Sequence, residues 1–366
     1  MALTDIDGQR LGDSVADKLG DRNLIINGAA TVYQRGENTS ISSGTTNFAT
    51  DRWALQIDQA GTWTFSQSTD APSGFGFSHK LDCTTSRASL AANSELIFQQ
   101  RLEGQDLQNL DKGTADAKEL TLSFYVKSAK TGTYIVEFQD ANNGRNCQRV
   151  YTINTANTWE YKTLTVPGDT TGTLTNNNGH SFTIRYWLAA GSNFTSGSLQ
   201  TDWGATVNAD RAVGQVNLAD STSNDWFITG VQLEVGNTAT PFQHESYAKT
   251  LSKCMRYYQE YTSSTNGFGI SGAGYCETST QTEFVFFLTV PMRTLASANI
   301  TEIGDLEVKV GSSNFDVTGL DGVAFNDNFS LATVRTTNSN SGASAGTVAR
   351  LRANNVGAGF QFNAEL

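Results

Sequence analysis

The sequence has little of what redox, metal or membrane chemistry needs. Its 366 residues include 4 Cys, 3 His, 3 Met and 4 Pro. Cys83, Cys147, Cys254 and Cys276 are dispersed with no Cys-x-x-Cys spacing, so zinc and redox motifs are unsupported. They read as buried thiols, with a Cys254–Cys276 pair left open. His79, His180 and His244 stand alone, without HxH or HxxxH spacing. No GxSxG, Walker or EF-hand motif occurs. Gly267-Phe-Gly269-Ile-Ser-Gly272 fits GxGxxG only formally, because no strand-to-helix signal surrounds it. The longest apolar stretch, near Phe284–Met292, falls far short of the roughly 20 residues of a membrane helix, so no membrane insertion is expected. Met1-Ala-Leu-Thr-Asp-Ile-Asp carries no signal-peptide pattern. Charged residues are only 17%, and 25 Lys+Arg against 36 Asp+Glu give a net charge of −11, which speaks against nucleic acid and anionic membranes.

Uncharged polar residues fill the gap: 46 Thr, 29 Asn and 34 Gly, beside 10% aromatics. Thr and aromatics favour strands, while Gly and Asn favour tight turns. The composition therefore predicts an all-β protein, and the length allows two domains. Alternation marks strands at Lys118–Ser128 (Leu120, Leu122, Phe124 and Val126 on one face), Tyr134–Phe138, Tyr161–Val166, Phe182–Leu188 and Phe227–Val235. Asn23–Gly28 reads as a short strand ending in an Asn-Gly turn, and Asp140-Ala-Asn-Asn-Gly144 as a hairpin turn. Half-buried strands at this spacing predict a jelly-roll-like β-sandwich over 23–245. A smaller C-terminal β domain is expected over 262–366, with strands near Glu283–Met292, Leu306–Val310, Phe315–Val317, Phe329–Val334, Thr347–Leu351 and Gly359–Phe362.

Two segments break the β pattern. Residues 1–22 are polar and acidic, with Ile6, Leu11, Val15 and Leu19 in a weak amphipathic spacing. They read either as a flexible leader or as an anchor that docks on a larger assembly. Residues 246–261 place Tyr247, Leu251, Cys254, Tyr258 and Tyr261 at spacings of 4, 3, 4 and 3, a heptad seam. A helix this short needs a partner surface, either its own sandwich or copies of itself at a symmetry axis.

Three sets of strings carry a resemblance. They are Asp21-Arg-Asn-Leu-Ile-Ile-Asn-Gly-Ala29 with Tyr33-Gln-Arg-Gly36 and Thr50-Asp-Arg-Trp53; Phe98-Gln-Gln-Arg-Leu-Glu-Gly104; and Trp226-Phe-Ile-Thr-Gly-Val-Gln-Leu-Glu-Val-Gly236 with Ala239-Thr-Pro-Phe242 and Cys254-Met-Arg-Tyr-Tyr258. Across roughly 21–260 the chain resembles virion fibre and adhesin proteins of tailed bacteriophages, whose body is similar to a carbohydrate-binding-module jelly roll. The resemblance implies a homotrimer on the virion, made in the bacterial host cytoplasm. It implies an N-terminus that attaches to other virion structural proteins, and a short, stubby fibre, tip protein or head-attached appendage. The seam would then be the trimer interface.

The function expected on this basis is multivalent attachment to a bacterial surface glycan, without catalysis. Sugar rings stack on aromatic faces, and Trp63, Trp203, Phe268 and Tyr275 sit in polar or Gly/Ser-rich surroundings that suit exposure. For each Trp the competing reading is a core position. The alternative function is a structural appendage, a tail or baseplate connector or a capsid-decorating fibre. Glycoside hydrolysis needs a carboxylate pair; Glu95, Glu103 and Glu234 lie in β patterns and read as structural acids. No cofactor is implied, and a structural Ca²⁺ stays open with no ligand set assigned.

Overall fold

The computed structural model describes residues 22–264, 269–339 and 342–366. The anchor positions Ile6, Leu11, Val15 and Leu19, and the candidate Phe268, lie outside the described residues. The chain divides into two compact units between Thr250 and Leu251.

The first unit is built from antiparallel strands. In chain order they are β1 (Asn38–Ile41), β2 (Gly44–Phe48), β3 (Ala54–Asp58), β4 (Thr62–Ser68), β5 (Ser78–Thr85), β6 (Glu95–Glu103), β7 (Leu120–Ser128), β8 (Gly132–Asp140), β9 (Arg145–Ile153), β10 (Glu160–Val166), β11 (His180–Ala190), β12 (Gly204–Ala205) and β13 (Asp225–Val235). Six form one sheet in the order β1-β4-β5-β13-β7-β10, and seven form the other, β12-β9-β8-β11-β6-β3-β2. Two antiparallel sheets with non-sequential neighbours make the jelly-roll sandwich expected from the alternation.

The inward residues of both sheets close one core. Trp53 stacks on Phe98 at 4.8 Å, and Phe98 meets Phe65 and Trp226 edge-on at 5.4 and 5.5 Å. Each ring is buried and contributes about 1.5–3 kcal/mol. The β8–β9 hairpin turns at the expected Asp140–Gly144, with Gly144 at φ +62°. Asn23–Gly28 is not a strand. Its Asn23 side chain holds Ile25 N and Leu233 N instead, and the side chain of Asn27 clasps Val32.

The second unit carries β14 (Tyr258–Thr262), β15 (Gly269–Cys276), β16 (Gln281–Phe287), β17 (Ser297–Ile300), β18 (Leu306–Val310), β19 (Ser313–Phe325), β20 (Leu331–Asn338), β21 (Val348–Ala353) and β22 (Gly359–Asn363). Six strands close a barrel, β15-β16-β20-β19-β18-β21, and β14-β22-β17 form a small sheet. The smaller C-terminal β region is therefore a barrel. The short Phe315–Val317 strand of the sequence reading is part of the 13-residue β19.

A four-residue helix, α1 (Ser192–Thr195), follows β11, and the helix read at 246–261 is α2 (Tyr247–Met255). Its extension to residue 261 is corrected by β14, which pairs with β22 from Tyr258↔Asn363 to Thr262↔Gly359. In a strand, residues three apart face opposite sides, so Tyr258 and Tyr261 cannot share a seam. The Tyr258 hydroxyl donates to Glu260, while the ring of Tyr261 packs on Phe286 and Phe362. Tyr247, Leu251 and Cys254 keep the helical spacing, with Cys254 buried, Leu251 half-buried and Tyr247 exposed. All four cysteines are buried thiols, and Cys254 and Cys276 are not joined.

Candidate functional site

The outer face of the seven-stranded sheet is occupied by the chain itself. Register places Gln99, Arg185, Glu137 and Gln148 in one row, and Ile97, Trp187, Ile135 and Val150 in the next. Phe194, Leu199 and Ala212, from the excursion 191–216, pack over Ile97, Ile135 and Trp187. One clasp ties it down. Arg211 donates Nε and Nη2 to the Glu137 carboxylate at 2.9 Å each, and Trp187 Nε1 and Asn146 Nδ2 donate to its oxygens at 2.9 and 3.0 Å. Burial pushes the Glu137 carboxyl up, but the Arg211 and Arg185 charges outweigh it and hold it below its ordinary value. Burial also lowers Arg185, to about 10. A carboxylate this fully bonded is a structural tie.

The outer face of the six-stranded sheet is different. Tyr161 of β10 pairs with Tyr125 of β7, and their rings lie 4.9 Å apart. Tyr125 continues to Phe75 at 5.5 Å, and Phe75 to Phe242 at 5.1 Å, with His244 beside both. Tyr161 is 47% exposed, and Phe75, Tyr125 and Phe242 are half-buried. These rings make a continuous, twisted aromatic path.

Local chemistry builds the path. Gly230, at φ +62° in a bulge of β13, is required: a Cβ there would lie 2.6 Å from Phe75 Cζ and 3.2 Å from Tyr125 Cδ2. Phe242 is held by side chains of β13. Glu234 accepts from Thr240 N and Thr240 Oγ1 at 2.8 and 2.7 Å, and Gln232 Oε1 accepts from Gln243 N at 2.8 Å. Arg22 Nη2 donates to Pro241 O at 2.6 Å. Beside the path, Trp159 packs on Phe227 at 6.2 Å. Lys127 lies over both rings, at 5.4 and 4.3 Å, and pairs with Asp70, which also accepts from Trp159 Nε1. The Lys127 hydrogen bond holds the Asp70 carboxyl below its ordinary value.

The sequence candidates fare differently. Trp63 is fully buried in β4, with Nε1 donating to Ala60 O at 2.8 Å, and so is a core residue and no ligand platform. Trp203 is half-buried against Phe182 at 6.0 Å and donates to Pro167 O at 2.7 Å. Tyr275 is 42% exposed on the barrel, its hydroxyl donating to Glu283 at 3.0 Å. No path residue was among the candidates. The alternation that put Phe124 and Val126 inward also put Tyr125 outward, and the same logic exposes Tyr161; that was the available signal.

Glu95, Glu103 and Glu234 accept from Gln56, Gln105 and Thr240. Among the described residues, each carboxylate with a resolved shift is lowered: Asp70, Glu137, Glu160, Asp169 and Asp220.

No family model and no curated protein matches the chain. Solved structures do. The enzymatically active domain of tailspike protein 4 of bacteriophage CBA120 is similar over 58% of this chain at 15% identity and a TM-score of 0.30, and the match spans 21% of that protein. A candidate sugar-binding protein of Bacteroides thetaiotaomicron matches over 58% of this chain and 100% of its own length, at 11% identity and a TM-score of 0.30. The module TmCBM61, solved with β-1,4-galactotriose, matches over 59% and 99% at 10% identity and a TM-score of 0.30. At this likeness, function has to be argued from the chain's own residues.

Proposed function

We propose that this chain is an external appendage protein of a tailed-phage virion that attaches the particle to a bacterial surface polysaccharide. The observation that carries the binding role is the path Phe242–Phe75–Tyr125–Tyr161, whose ring spacings of 5.1, 5.5 and 4.9 Å suit successive sugar units of an extended glycan. Aromatic faces take the apolar face of a pyranose. Asp70 and the exposed His244 lie at the margins to bond hydroxyls. A net charge of −11 favours a neutral polymer over an acidic one.

The phage assignment rests on the strings. Gln232, Glu234, Thr240 and Pro241 belong to them, and these are the residues that hold Phe242. The reading includes a homotrimer, whose avidity multiplies weak single contacts, and an N-terminus that joins other virion proteins. The reading is attachment without catalysis: Glu95, Glu103 and Glu234 are engaged by Gln56, Gln105 and Thr240 as structural acids, and the state of the polymer after binding tests it.

The test is binding of the purified full chain to a panel of bacterial polysaccharides, with polymer length checked afterwards. Saturable binding with intact polymer, weakened by Tyr161→Ala and Phe242→Ala, is the expected result. Shortened polymer would replace the adhesin with a depolymerase. Absence of binding to every polymer would leave a structural appendage.

A further inference from the structure

Three loops meet around one ammonium group. Lys112, just after the 3₁₀ turn Gly104–Leu110, buries its Nζ within reach of four oxygens. They are Asp140 Oδ2 at 2.5 Å, Gly172 O at 2.8 Å, Thr171 O at 2.9 Å and Asp169 Oδ2 at 3.0 Å. The side chains of Lys112, Asp140 and Asp169 are 5, 0 and 2% exposed. An ammonium has three protons to give, so the cage holds one oxygen more than its occupant can bond in full. Two carboxylates and two backbone carbonyls are the ligands that hard divalent cations take.

The cage is rigidly held from behind. Asp140 Oδ1 accepts from Asn142 N and Asn143 N at 2.9 and 3.0 Å, and its Oδ2 from Asn143 Nδ2 at 2.8 Å. Asp169 accepts from Arg145 Nε and Nη2 at 2.8 and 2.9 Å and from Thr171 N at 3.1 Å. Gly113, at φ +85°, lets its loop come so close that a Cβ would lie 2.8 Å from Gly172 C.

We propose that this is a calcium-type site that the chain fills with its own cation. Lys112 supplies the charge that a bound ion would supply. Taking the side chain away leaves two carboxylates facing one guanidinium, Arg145, with room for water to complete the coordination of Ca²⁺. Mg²⁺ fits poorly, because it demands a tight octahedron at about 2.0–2.1 Å.

The test uses the full chain with Lys112→Ala, prepared in chelator, and Tb³⁺ as the probe. Lys112 Nζ lies 5.7 Å from the centroid of Trp203, so an ion in its place is within reach of tryptophan-sensitised luminescence. The variant is expected to give a Tb³⁺ signal that Ca²⁺ displaces, and a melting temperature that rises by several degrees with millimolar Ca²⁺. Wild type gives neither, and Lys112→Ala combined with Asp140→Asn loses both. A variant that melts cooperatively yet shows no Tb³⁺ signal and no Ca²⁺ shift overturns the proposal, as does an equal signal from wild type. If the variant does not fold in chelator, refolding into Ca²⁺ decides: recovery supports the site, and failure with and without Ca²⁺ counts against it.

Discussion

In the sandwich, Glu137, Asp140, Asp169, Lys112 and Arg211 are buried and tied to one another in two ion-paired networks, and His79 is buried beside Thr50. In the second unit the buried polar side chains among the described residues are Gln259, Ser263, Thr282, Thr336 and Asn338, none of them charged. Its charge cluster, Arg335 with Glu277, Glu283 and Asp321, lies on the outside. The difference follows from the connections. The sandwich has long excursions, 104–119, 167–179 and 191–216, whose polar backbone needs internal ties. Much of the barrel is joined by short links, such as β16 from β15 and β19 from β18, and fills its interior with Phe284, Phe286, Leu306, Leu351 and smaller apolar residues.

The largest effect that would break this comparison is a cut in the Glu137 clasp. Arg211→Ala strands a fully buried carboxylate, which typically costs about 3–5 kcal/mol. Calorimetry of the full chain should show the sandwich transition falling steeply while the barrel transition stays. An unmoved sandwich transition would mean that the excursion 191–216 is held by Phe194 and Leu199 alone.

Acid should separate the units next. His79 is lowered by burial from 6.5 to about 3. Below the ordinary value the unfolded chain takes up a proton that the folded one refuses, so stability falls as pH drops from about 6.5 toward 3. The slope is about 1.4 kcal/mol per pH unit. Glu137 and Asp169 have lowered values, so their contributions are complete above the usual carboxylate range and are lost as pH falls through it and below. Circular dichroism against pH should therefore show the sandwich melting first, with His79→Gln flattening the upper part of the slope. Coincident loss of both units would contradict the contrast.

The sequence made the inward faces legible because alternation is a local signal. Leu122, Phe124 and Val126 could be read inward from one strand. For Trp63 the core reading holds over the ligand reading: Gly61-Thr-Trp-Thr resembles a polar loop, but Trp63 and Phe65 alternate inward on β4. The heptad spacing stops being helical after Cys254 for a non-local reason. Spacings of 4 and 3 fit a helix, but pairing of Tyr258–Thr262 with β22, about a hundred residues away, imposes a period of two. The aromatic path was illegible for the same reason: Phe75, Tyr125, Tyr161 and Phe242 meet only once register and the Gly230 bulge are known. The strings that carry the phage resemblance serve mainly as clasps. Asn23, Asn27, Gln100, Gln232 and Glu234 bond backbone.

A smaller stability effect sharpens the division within the sandwich itself. Tyr161→Ala removes an exposed ring and should change stability by no more than about 0.5 kcal/mol, yet weaken glycan binding roughly tenfold, about 1.4 kcal/mol. Trp63→Ala should do the reverse, costing about 3–5 kcal/mol through a cavity and leaving the affinity of the folded fraction unchanged. Melting curves and titrations on the same samples separate the two. Equal loss of affinity in both variants would detach the path from the ligand.

The smallest effect belongs to the barrel surface. Arg335 reaches Glu277 at 2.6 Å, Glu283 at 3.6 Å and Asp321 at 3.7 Å, but its side chain is 40% exposed. The three carboxylates raise its pKa, Glu277 most of all, so it stays charged across the working range. Water and salt screen such a pair, and two long side chains lose freedom to make it. Arg335→Gln should thus shift the barrel transition only slightly at low salt and not at all near 1 M, where the Debye length is about 3 Å. Arg211→Ala should keep its full cost at the same salt, because Glu137 sees no solvent. If instead salt rescued the Arg211 variant, or if Arg335→Gln cost the barrel as much as Arg211→Ala costs the sandwich, burial would not be what sets the value of an ion pair in this chain.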